Sequence, residues 1–261
     1  MKIGFIGLGN MGAALAQAVS QQADTQLLLS NHNPVKAHAL QEKVGGQLFS
    51  NGEIAEQAEV IFLGVKPHLI QSVLSGLQDQ ISQNPSAIWI SMAAGVTLNS
   101  LEEFVSADKL IRIMPNTPVA IGQGMTTYSV VNQELAPLLE QILEKSGKVQ
   151  QVPEKLIDAA TAIAGCGPAF VYQMIEALTD AGVQNGLTAE DAKILSAQTL
   201  AGTAQMVLCS DKHPAQLRQE VTSPGGSTIA GVVALEKEGF RYAVIKAVAA
   251  ALKKTRKLGK K

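Results

Sequence analysis

A glycine-rich turn near the start of the sequence constrains the fold more than any other feature. The apolar segment Lys2–Ile6 predicts a buried strand, the turn Gly7-Leu8-Gly9-Asn10-Met11-Gly12 follows, and the alanine-rich segment Met11–Ser20 predicts a helix. In this context the first glycine allows a tight turn, the second lets a pyrophosphate approach the backbone, and the third lets the helix pack on the strand. The helix N-terminus offers free N–H groups and the positive end of its dipole to the phosphates. The pattern predicts a dinucleotide-binding strand–turn–helix unit.

Strand and helix patterns alternate after this unit up to about residue 152. The further predicted strands are Gln26–Ser30, Glu59–Gly64, Ala87–Ser91, Leu110–Ile113, Met125–Val131 and Lys148–Val152. The predicted helices between them are Pro34–Val44, Pro67–Ile81 and Leu135–Ser146. Such alternation is typical of a doubly wound, mostly parallel sheet with helices on both faces.

After Pro153 the strand patterns stop and helical periodicity takes over. The predicted helices are Phe170–Gly182, Thr188–Cys209, Pro214–Val221, Thr228–Glu238 and Phe240–Leu258. We therefore expect an α/β protein: a Rossmann-like dinucleotide-binding domain over residues 1–152, followed by an all-α domain over residues 153–261.

Composition excludes several classes of protein. Hydrophobic residues make up 46% of the 261 residues, charged residues 16%, and the formal net charge is −1. These values exclude intrinsic disorder and argue against a nucleic-acid partner, which would select a basic face. The longest apolar run, Ala159–Ile175, is too short for a membrane span and is interrupted by Gly165, Gly167 and Pro168. We expect a soluble, cytoplasmic protein with no membrane partner, and we interpret the lysine-rich end from Lys253 onward as a frayed, solvated terminus.

The low charge predicts an interface between subunits. The segment Thr188–Cys209 is apolar around most of its circumference, and Phe170–Gly182 is similar. A helix of this kind has to be buried, and a domain of about 100 residues cannot bury several of them alone. We therefore expect a homodimer formed through the C-terminal helices, with a higher oligomer of dimers as a further possibility.

Residues at the end of the second predicted strand indicate which nicotinamide cofactor is used. An NAD-dependent enzyme usually has Asp or Glu there to bind the ribose 2′-hydroxyl. This sequence has Ser30-Asn31-His32-Asn33, with no acid to repel a 2′-phosphate. The sequence therefore predicts NADPH, with NADH as an alternative, and His32 as an ordinary exposed loop histidine remains open.

Three further loops follow predicted strands, where open α/β sheets bind ligands. They are Gly64-Val65-Lys66-Pro67, Ser91–Gly95 and Arg112–Pro118. Their small residues and prolines suit the approach of a planar ring to the backbone, and they equally suit turns with a purely structural role.

A glycine- and hydroxyl-rich loop, Val221–Thr228, precedes a predicted helix in the second half of the chain. Exposed N–H groups at such a helix start are suited to a small carboxylate. Because the four histidines are scattered and no paired acids follow a strand, hydrolysis and metal catalysis are not expected. The two cysteines, Cys166 and Cys209, are not in a C-x-x-C pair, and we expect no metal site.

The same region carries a longer and more specific motif. The string Asp211-x-His213-Pro214-x-x-Leu217-Arg218-x-x-Val221-Thr222-Ser223-Pro224-Gly225-Gly226-x-Thr228 resembles the signature of the pyrroline-5-carboxylate reductase family. The glycine turn, the loops after the strands and Gly165–Ala169 follow in the family's order along the whole chain. The resemblance implies transfer of a hydride from NADPH to C5 of the cyclic imine L-1-pyrroline-5-carboxylate, which gives L-proline.

The resemblance also implies roles for individual residues. Ile6 to Met11 would contact the pyrophosphate, Asn51 the adenosine side, and Gly64 to Pro67 with Met92 to Ala94 the nicotinamide half. With the residues argued above, the expected cofactor-binding set is Ile6, Gly7, Leu8, Gly9, Asn10, Met11, Gly12, Asn31, His32, Asn51, Gly64, Val65, Lys66, Pro67, Met92, Ala93 and Ala94. The expected substrate-binding set is Ser223, Gly225, Gly226, Ser227 and Thr228.

Within the substrate-binding set, Thr228 is the expected catalytic residue. It would hydrogen-bond the ring nitrogen and orient it for protonation, because a hydroxyl is too weak an acid to serve alone. The sequence departs from the family pattern at Cys166, where Ser is usual, at His32, where Arg is frequent, and at Ser227, where Ala is frequent.

Other functions remain as alternatives. A related two-domain imine reductase or β-hydroxyacid dehydrogenase is the second hypothesis, with Lys193 in the place of an acid/base lysine but without the accompanying motif. A non-catalytic NADP-sensing module is the third, although it would have no need of the intact Thr222–Thr228 loop.

Overall fold

The computed structural model describes residues 1–258 and contains two compact units. The sheet unit comprises Met1–Cys166 and the chain from Ala250 onward, and the helical unit comprises Gly167–Ala249. The predicted boundary at residue 152 lies 14 residues before the end of the first stretch of the sheet unit, because the segment after it packs with the sheet.

Eight strands form one sheet in the order β3-β2-β1-β4-β5-β6-β7-β8. The strands are β1 Lys2–Ile6, β2 Gln26–Ser30, β3 Gln47–Leu48, β4 Val60–Leu63, β5 Ile88–Ser91, β6 Leu110–Met114, β7 Gly124–Val130 and β8 Gly147–Gln151. All neighbouring strands are parallel except β6 and β7. The prediction of a doubly wound, mostly parallel sheet followed by helices is therefore confirmed.

Helices cover both faces of this sheet. They are α1 Asn10–Val19, α2 Pro34–Val44, α3 Asn51–Gln57, α4 Ile70–Ser75, α5 Gln78–Gln83, α6 Leu98–Leu101, α7 Ala136–Ile142 and α8 Ile157–Ala160. On one face Phe5 and Phe62 stack with ring centroids 4.7 Å apart, in the core that α1 closes. On the other face Ile61 and Trp89 lie in a second core. Burial on both faces explains the continuous apolar runs of the central strands.

The predicted single helix over Pro67–Ile81 is wrong. The segment contains a 3₁₀ turn at Pro67–Leu69, then α4, then α5. Helix α4 ends at its C-cap, Gly76. The side chain of the next residue, Leu77, packs in the core and is 5% exposed. The predicted helix Leu135–Ser146 is likewise reduced to α7, with a 3₁₀ turn at each end. The short elements β3 and α3 are not predicted by the periodicity.

The helical unit follows a π-helical turn at Thr161–Gly165. Its helices are α9 Gly167–Gln184, α10 Ala189–Leu208, α11 Pro214–Glu220, α12 Ser227–Lys237 and the first part of α13 Phe240–Leu258. From Ala250 onward the residues of α13 belong to the sheet unit. Helices α9 and α10 pack closely, since a Cβ built on Gly182 would lie 2.8 Å from the Cβ of Ala192. Neither α11 nor α12 has a buried residue.

The lysine-rich end is helical as far as Leu258, so the predicted fraying is not seen up to that residue. The basic side chains from Lys253 to Lys257 are exposed, and the last three residues of the chain lie outside the described part. None of the helices within residues 1–258 is long and apolar enough to cross a membrane.

Candidate functional site

The glycine turn after β1 is packed against the loop after β4. Gly7 has a φ of +96°, which favours glycine, and its N–H donates to the Ser30 carbonyl at 2.8 Å. A Cβ on Gly12 would lie 2.2 Å from the Gly7 carbonyl oxygen, and a Cβ on Gly64 would lie 2.3 Å from the same atom. Gly7, Gly12 and Gly64 are therefore required by the close approach of three backbone segments.

Gly9 has a different environment. A Cβ built on it would meet no atom within 4 Å, and its φ of −68° is open to any residue. Gly9 is the N-cap of α1, and within residues 1–258 no side chain caps the first-turn N–H groups of this helix. The turn thus presents uncapped amides of a ten-residue helix beside a residue without a side chain, which fits the approach of a pyrophosphate.

The polar residues at the end of β2 are largely engaged with the protein itself. Asn31 Oδ1 accepts from the Leu8 N–H at 3.0 Å, and its amide donates to the Asn33 carbonyl. Ser30 donates to Asn51 Oδ1 at 2.7 Å. Asn31 therefore holds the glycine turn, and Ser30 positions Asn51 beside it.

The last polar residue of this segment caps the next helix. Asn33 Oδ1 accepts from the Val35 and Lys36 N–H groups and caps α2. These two N–H groups at the start of α2 are therefore engaged by the protein itself. His32 and Lys36 are exposed there.

The loops after β4 and β5 lie at the same carboxyl edge of the sheet as the glycine turn, because these strands are parallel neighbours. Val65 contacts the glycine turn, since a Cβ on Gly7 would lie 2.8 Å from Val65 Cγ1. The Met92 N–H donates to the Leu63 carbonyl at 3.3 Å, and the Ala93 N–H donates to Ser91 Oγ at 3.3 Å. The structure thus brings the predicted cofactor segments of β1, β4 and β5 together.

The loop after β6 is held by a residue without an assigned role. Asn116 is 9% exposed, its amide donates to the Ala164 carbonyl at 3.0 Å, and its Oδ1 accepts from the Met125 N–H at 2.8 Å. In a regular helix the Ala164 carbonyl would accept from residue 168, but Pro168 has no N–H. Asn116 therefore supplies the donor that the proline lacks.

Arg112 is a second residue whose role the sequence interpretation missed. It is 3% exposed on β6, and its guanidinium lies 3.3 Å from Glu154 Oε1 and 3.2 Å from Asp158 Oδ1. The sequence does contain a signal for this role, because Arg112 is the one charged residue in the apolar strand Leu110–Met114. A charge that is buried in a strand requires an acidic partner in the folded protein.

The predicted substrate loop lies in the helical unit. Gly225 has a φ of +71°, and Gly226 is the N-cap of α12 with no side-chain cap among the described residues. A Cβ on Gly226 would lie 2.4 Å from Ser223 Oγ, so the serine fills the space beside the cap. Thr228 is exposed in the first turn of α12, one residue after the helix starts at Ser227. The Gly226 N–H donates to the Ser223 carbonyl at 3.1 Å. The loop thus combines a helix start that has no side-chain cap with exposed hydroxyls.

The structure also bears on a metal site and on the candidate acid/base lysine. Among residues 1–258, no cluster of three or more His, Cys, Asp or Glu side chains is placed to hold a metal ion. Lys193, the candidate acid/base lysine of the second hypothesis, is exposed on α10.

Comparison with known proteins identifies the family. Residues 154–258 match the family described as "Pyrroline-5-carboxylate reductase dimerisation", and residues 2–95 match "NADP oxidoreductase coenzyme F420-dependent". A pyrroline-5-carboxylate reductase of Pisum sativum is 38% identical over 262 residues, covering 98% of this chain and 95% of the relative. This chain belongs to the pyrroline-5-carboxylate reductase family. The resemblance argued from the motif is confirmed.

Solved structures of pyrroline-5-carboxylate reductases have the same fold. The Plasmodium falciparum enzyme with NADP bound has a TM-score of 0.85 at 36% identity, and the Coxiella burnetii enzyme has a TM-score of 0.89 at 35%. Each comparison covers 99% of this chain and 98% of the other. An imine reductase of Streptomyces aurantiacus, at 18% identity and a TM-score of 0.57, shares the fold alone.

Proposed function

We propose that this protein reduces L-1-pyrroline-5-carboxylate to L-proline, with NADPH as the reductant. The protein is an NADP-dependent oxidoreductase acting on a CH–NH group, and its product places it at the last step of proline biosynthesis. The observation that carries this assignment is the similarity to pyrroline-5-carboxylate reductases over nearly the whole chain. A similarity limited to the sheet unit would have supported a nicotinamide cofactor without a substrate.

The cofactor site that we propose is the carboxyl edge of β1, β2, β4 and β5. NADPH supplies a hydride when bound, and the residues of the glycine turn, from Ile6 to Gly12, hold its pyrophosphate. Gly9 supports this role, because a Cβ built on it would meet no atom within 4 Å. The packing of the protein therefore does not require a glycine at this position, whereas the approach of a pyrophosphate does. Asn51 and His32 bind the adenosine half, Asn31 fixes the turn, and the nicotinamide half lies against the loops after β4 and β5.

For the substrate we propose the start of α12. The N–H groups of Gly225, Gly226 and Ser227 bind the carboxylate, since a helix N-terminus without a side-chain cap attracts an anion. In this role the Gly226 N–H exchanges the Ser223 carbonyl, to which it donates at 3.1 Å, for the carboxylate. Ser223 supports Gly226, and Thr228 hydrogen-bonds the ring nitrogen. A protonated imine is electrophilic at C5, so the residues have to orient the ring and help deliver one proton to nitrogen.

Turnover of L-1-pyrroline-5-carboxylate, followed by the oxidation of NADPH at its absorbance maximum, tests the assignment. In the same assay Thr228→Ala is expected to lower kcat by about 100-fold while the KM for NADPH stays unchanged, because misplacement of the reacting ring costs a factor of this size. Thr222→Ala is the matched control, since this hydroxyl donates to the Arg218 carbonyl within the helical unit. Equal kcat/KM for Thr228→Ala and the unchanged enzyme would remove Thr228 from the mechanism.

We also propose that the helical domain over residues 153–261 forms a homodimer, with higher oligomers built from dimers. Most large apolar side chains that are exposed in the single chain lie in the helical unit, on α9, α10, α12 and α13. The match to the family's dimerisation segment supports a homo-oligomer. The cytoplasmic location rests on the sequence and stays a prediction.

A further inference from the structure

The buried arginine of β6 is neutralised by two acids that have different second contacts. Arg112 Nη1 lies 3.3 Å from Glu154 Oε1, and Nη2 lies 3.2 Å from Asp158 Oδ1. Arg112 Nε is buried and has no hydrogen-bond partner among the described residues. The guanidinium therefore depends on these two carboxylates, and losing either one leaves a buried charge half paired.

Glu154 makes one contact that Asp158 does not make. Its Oε1 also accepts from the Leu98 N–H at 2.6 Å. Leu98 is the first residue of α6, and its N–H is one of the groups that a helix start leaves without an intrahelical partner. One carboxylate oxygen thus joins β6 to the start of α6, and a charged acceptor makes this hydrogen bond a strong one.

The segment that ends at Leu98 is the loop after β5. Its first residues are fixed, because the Ala93 N–H donates to the buried Ser91 Oγ. Its middle passes through Gly95, with a φ of +79°, and at its far end Leu98 is held by Glu154. The loop is therefore anchored at one end by β5 and at the other by an acid that lies 56 residues later in the chain.

We infer that Glu154 is a positioning residue for the nicotinamide half of the cofactor, acting through the Leu98 N–H on the loop Met92–Thr97. This inference rests on the proposed function, which places Met92 to Ala94 beside the nicotinamide. Glu154 touches neither cofactor nor substrate in this role. It limits the range of positions that the loop can take. Hydride transfer is sensitive to such movement, because a misplacement of about 1 Å between the reacting atoms can slow a reaction about 100-fold.

The test compares Glu154→Ala with Asp158→Ala as a matched control. Each variant removes one ion pair from Arg112, and Glu154→Ala also removes the acceptor of the Leu98 N–H, so Glu154→Ala is expected to lose more thermal stability than Asp158→Ala. Glu154→Ala is expected to lower kcat about tenfold and to raise the primary isotope effect with deuterated NADPH, because transfer becomes slower when positioning is lost. The KM for NADPH is expected to stay within about twofold, since the pyrophosphate contacts are intact. Asp158→Ala is expected to keep kcat within about twofold.

Hydrogen exchange in the cofactor-free protein supplies a second readout that needs no turnover. Glu154→Ala is expected to speed exchange of the Leu98 amide, and Asp158→Ala is expected to leave it protected. Glu154→Gln keeps an oxygen acceptor for this amide, so it is expected to retain both the protection and most of kcat. Should Glu154→Ala fail to fold, Glu154→Gln decides, since a tenfold loss of kcat with the Leu98 amide still protected would overturn the inference.

Equal effects of Glu154→Ala and Asp158→Ala on kcat and on Leu98 exchange would also overturn the inference. Failure of the proposed function is distinguishable from this result. In that case the unchanged protein itself would not oxidise NADPH with L-1-pyrroline-5-carboxylate, while the exchange experiment would still report whether Glu154 fixes the loop.

Discussion

At the scale of single residues, the glycines of the first turn have two separate causes. Gly12 is required by the protein, because any side chain there would meet the Gly7 carbonyl at the base of the turn. Gly9 is not required by the protein, because its Cβ position is open. The spacing G-x-G-x-x-G is therefore a folding requirement at Gly12, and we propose that it is a ligand requirement at Gly9; substitution separates the two.

Alanine is expected to lower the stability of the protein at Gly12 and to weaken cofactor binding at Gly9. Gly12→Ala places a methyl group 2.2 Å from a backbone oxygen and is expected to destabilise the sheet unit by about 1–3 kcal/mol, the usual cost of overpacking. Gly9→Ala is expected to change the melting temperature of the cofactor-free protein by no more than about 2 °C. It is expected to weaken NADPH binding at least about tenfold, because the methyl group occupies the approach of the pyrophosphate.

Calorimetry without cofactor and titration with NADPH, both at one protein concentration, measure the two effects. Wild-type affinity in Gly9→Ala would contradict the proposed phosphate site. Full stability of Gly12→Ala would contradict the packing of α1 on the turn.

The site residues at the end of β2 show what the sequence could and could not predict. The absence of an acid after the strand is visible in the sequence, and so is the helix start at Pro34. The use of Asn31 to hold Leu8, and of Ser30 to hold Asn51, depends on side-chain contacts between segments that are about 20 residues apart. Local patterns contain no information on which donor finds which acceptor, so the contacts that these polar residues make within the protein could not be predicted.

At the scale of elements, a hydrogen bond from the buried hydroxyl of Tyr128 on β7 connects this strand to Glu140 on α7. Tyr128 is 1% exposed and donates to Glu140 Oε1 at 2.6 Å. Burial, and secondarily the hydrogen bond to Glu140 and its negative charge, raise the pKa of Tyr128 well above its ordinary value of 10.0. The folded protein therefore keeps a proton that the unfolded chain loses above pH 10.

This raised pKa predicts a loss of stability in alkali. The contribution of Tyr128 is fully present below pH 10.0, the pKa of an unperturbed tyrosine, and falls as the pH rises towards the higher pKa of the folded state. The expected slope is about 1.4 kcal/mol per pH unit from this one group. Tyr128→Phe is expected to lower the free energy of unfolding by about 1 kcal/mol at neutral pH and to remove this part of the slope.

Urea titrations from about pH 8 to about pH 11, at constant ionic strength, measure the difference between Tyr128→Phe and the unchanged protein. The difference isolates Tyr128 from the other groups that titrate in alkali. Parallel curves across the range would contradict the assignment.

Element types were largely predictable, whereas their interruptions and their order were not. The apolar run Val60–Leu63 and the proline at the start of α2 identify their elements directly. The break between α4 and α5 depends on Leu77 finding a place in the core, and the antiparallel pairing of β7 with β6 depends on the path of the chain between them. Both are tertiary effects that override local periodicity.

At the scale of the whole molecule, the sheet unit has its own buried cores, whereas the helical unit is apolar on the outside. Within Gly167–Ala249, the buried residues are Ala192 and Ser196, both on α10. Exposed fractions reach 55% for Leu195, 58% for Val233 and 65% for Ile245. We attribute this exposed apolar surface, and the low charge of the sequence, to the proposed interface between subunits.

One substitution on α12 tests this interface. Val233→Glu places a charge on a surface that the proposed dimer removes from water, and an unpaired buried charge is too costly to retain. The variant is expected to elute as a monomer by light scattering at concentrations where the unchanged protein is a dimer or larger. Val35→Glu on α2 is the matched control, because Val35 is 74% exposed in the sheet unit, outside the proposed interface, and its variant is expected to keep the original size. A dimeric Val233→Glu protein, or dissociation by both substitutions, would mean that the subunits associate through another surface.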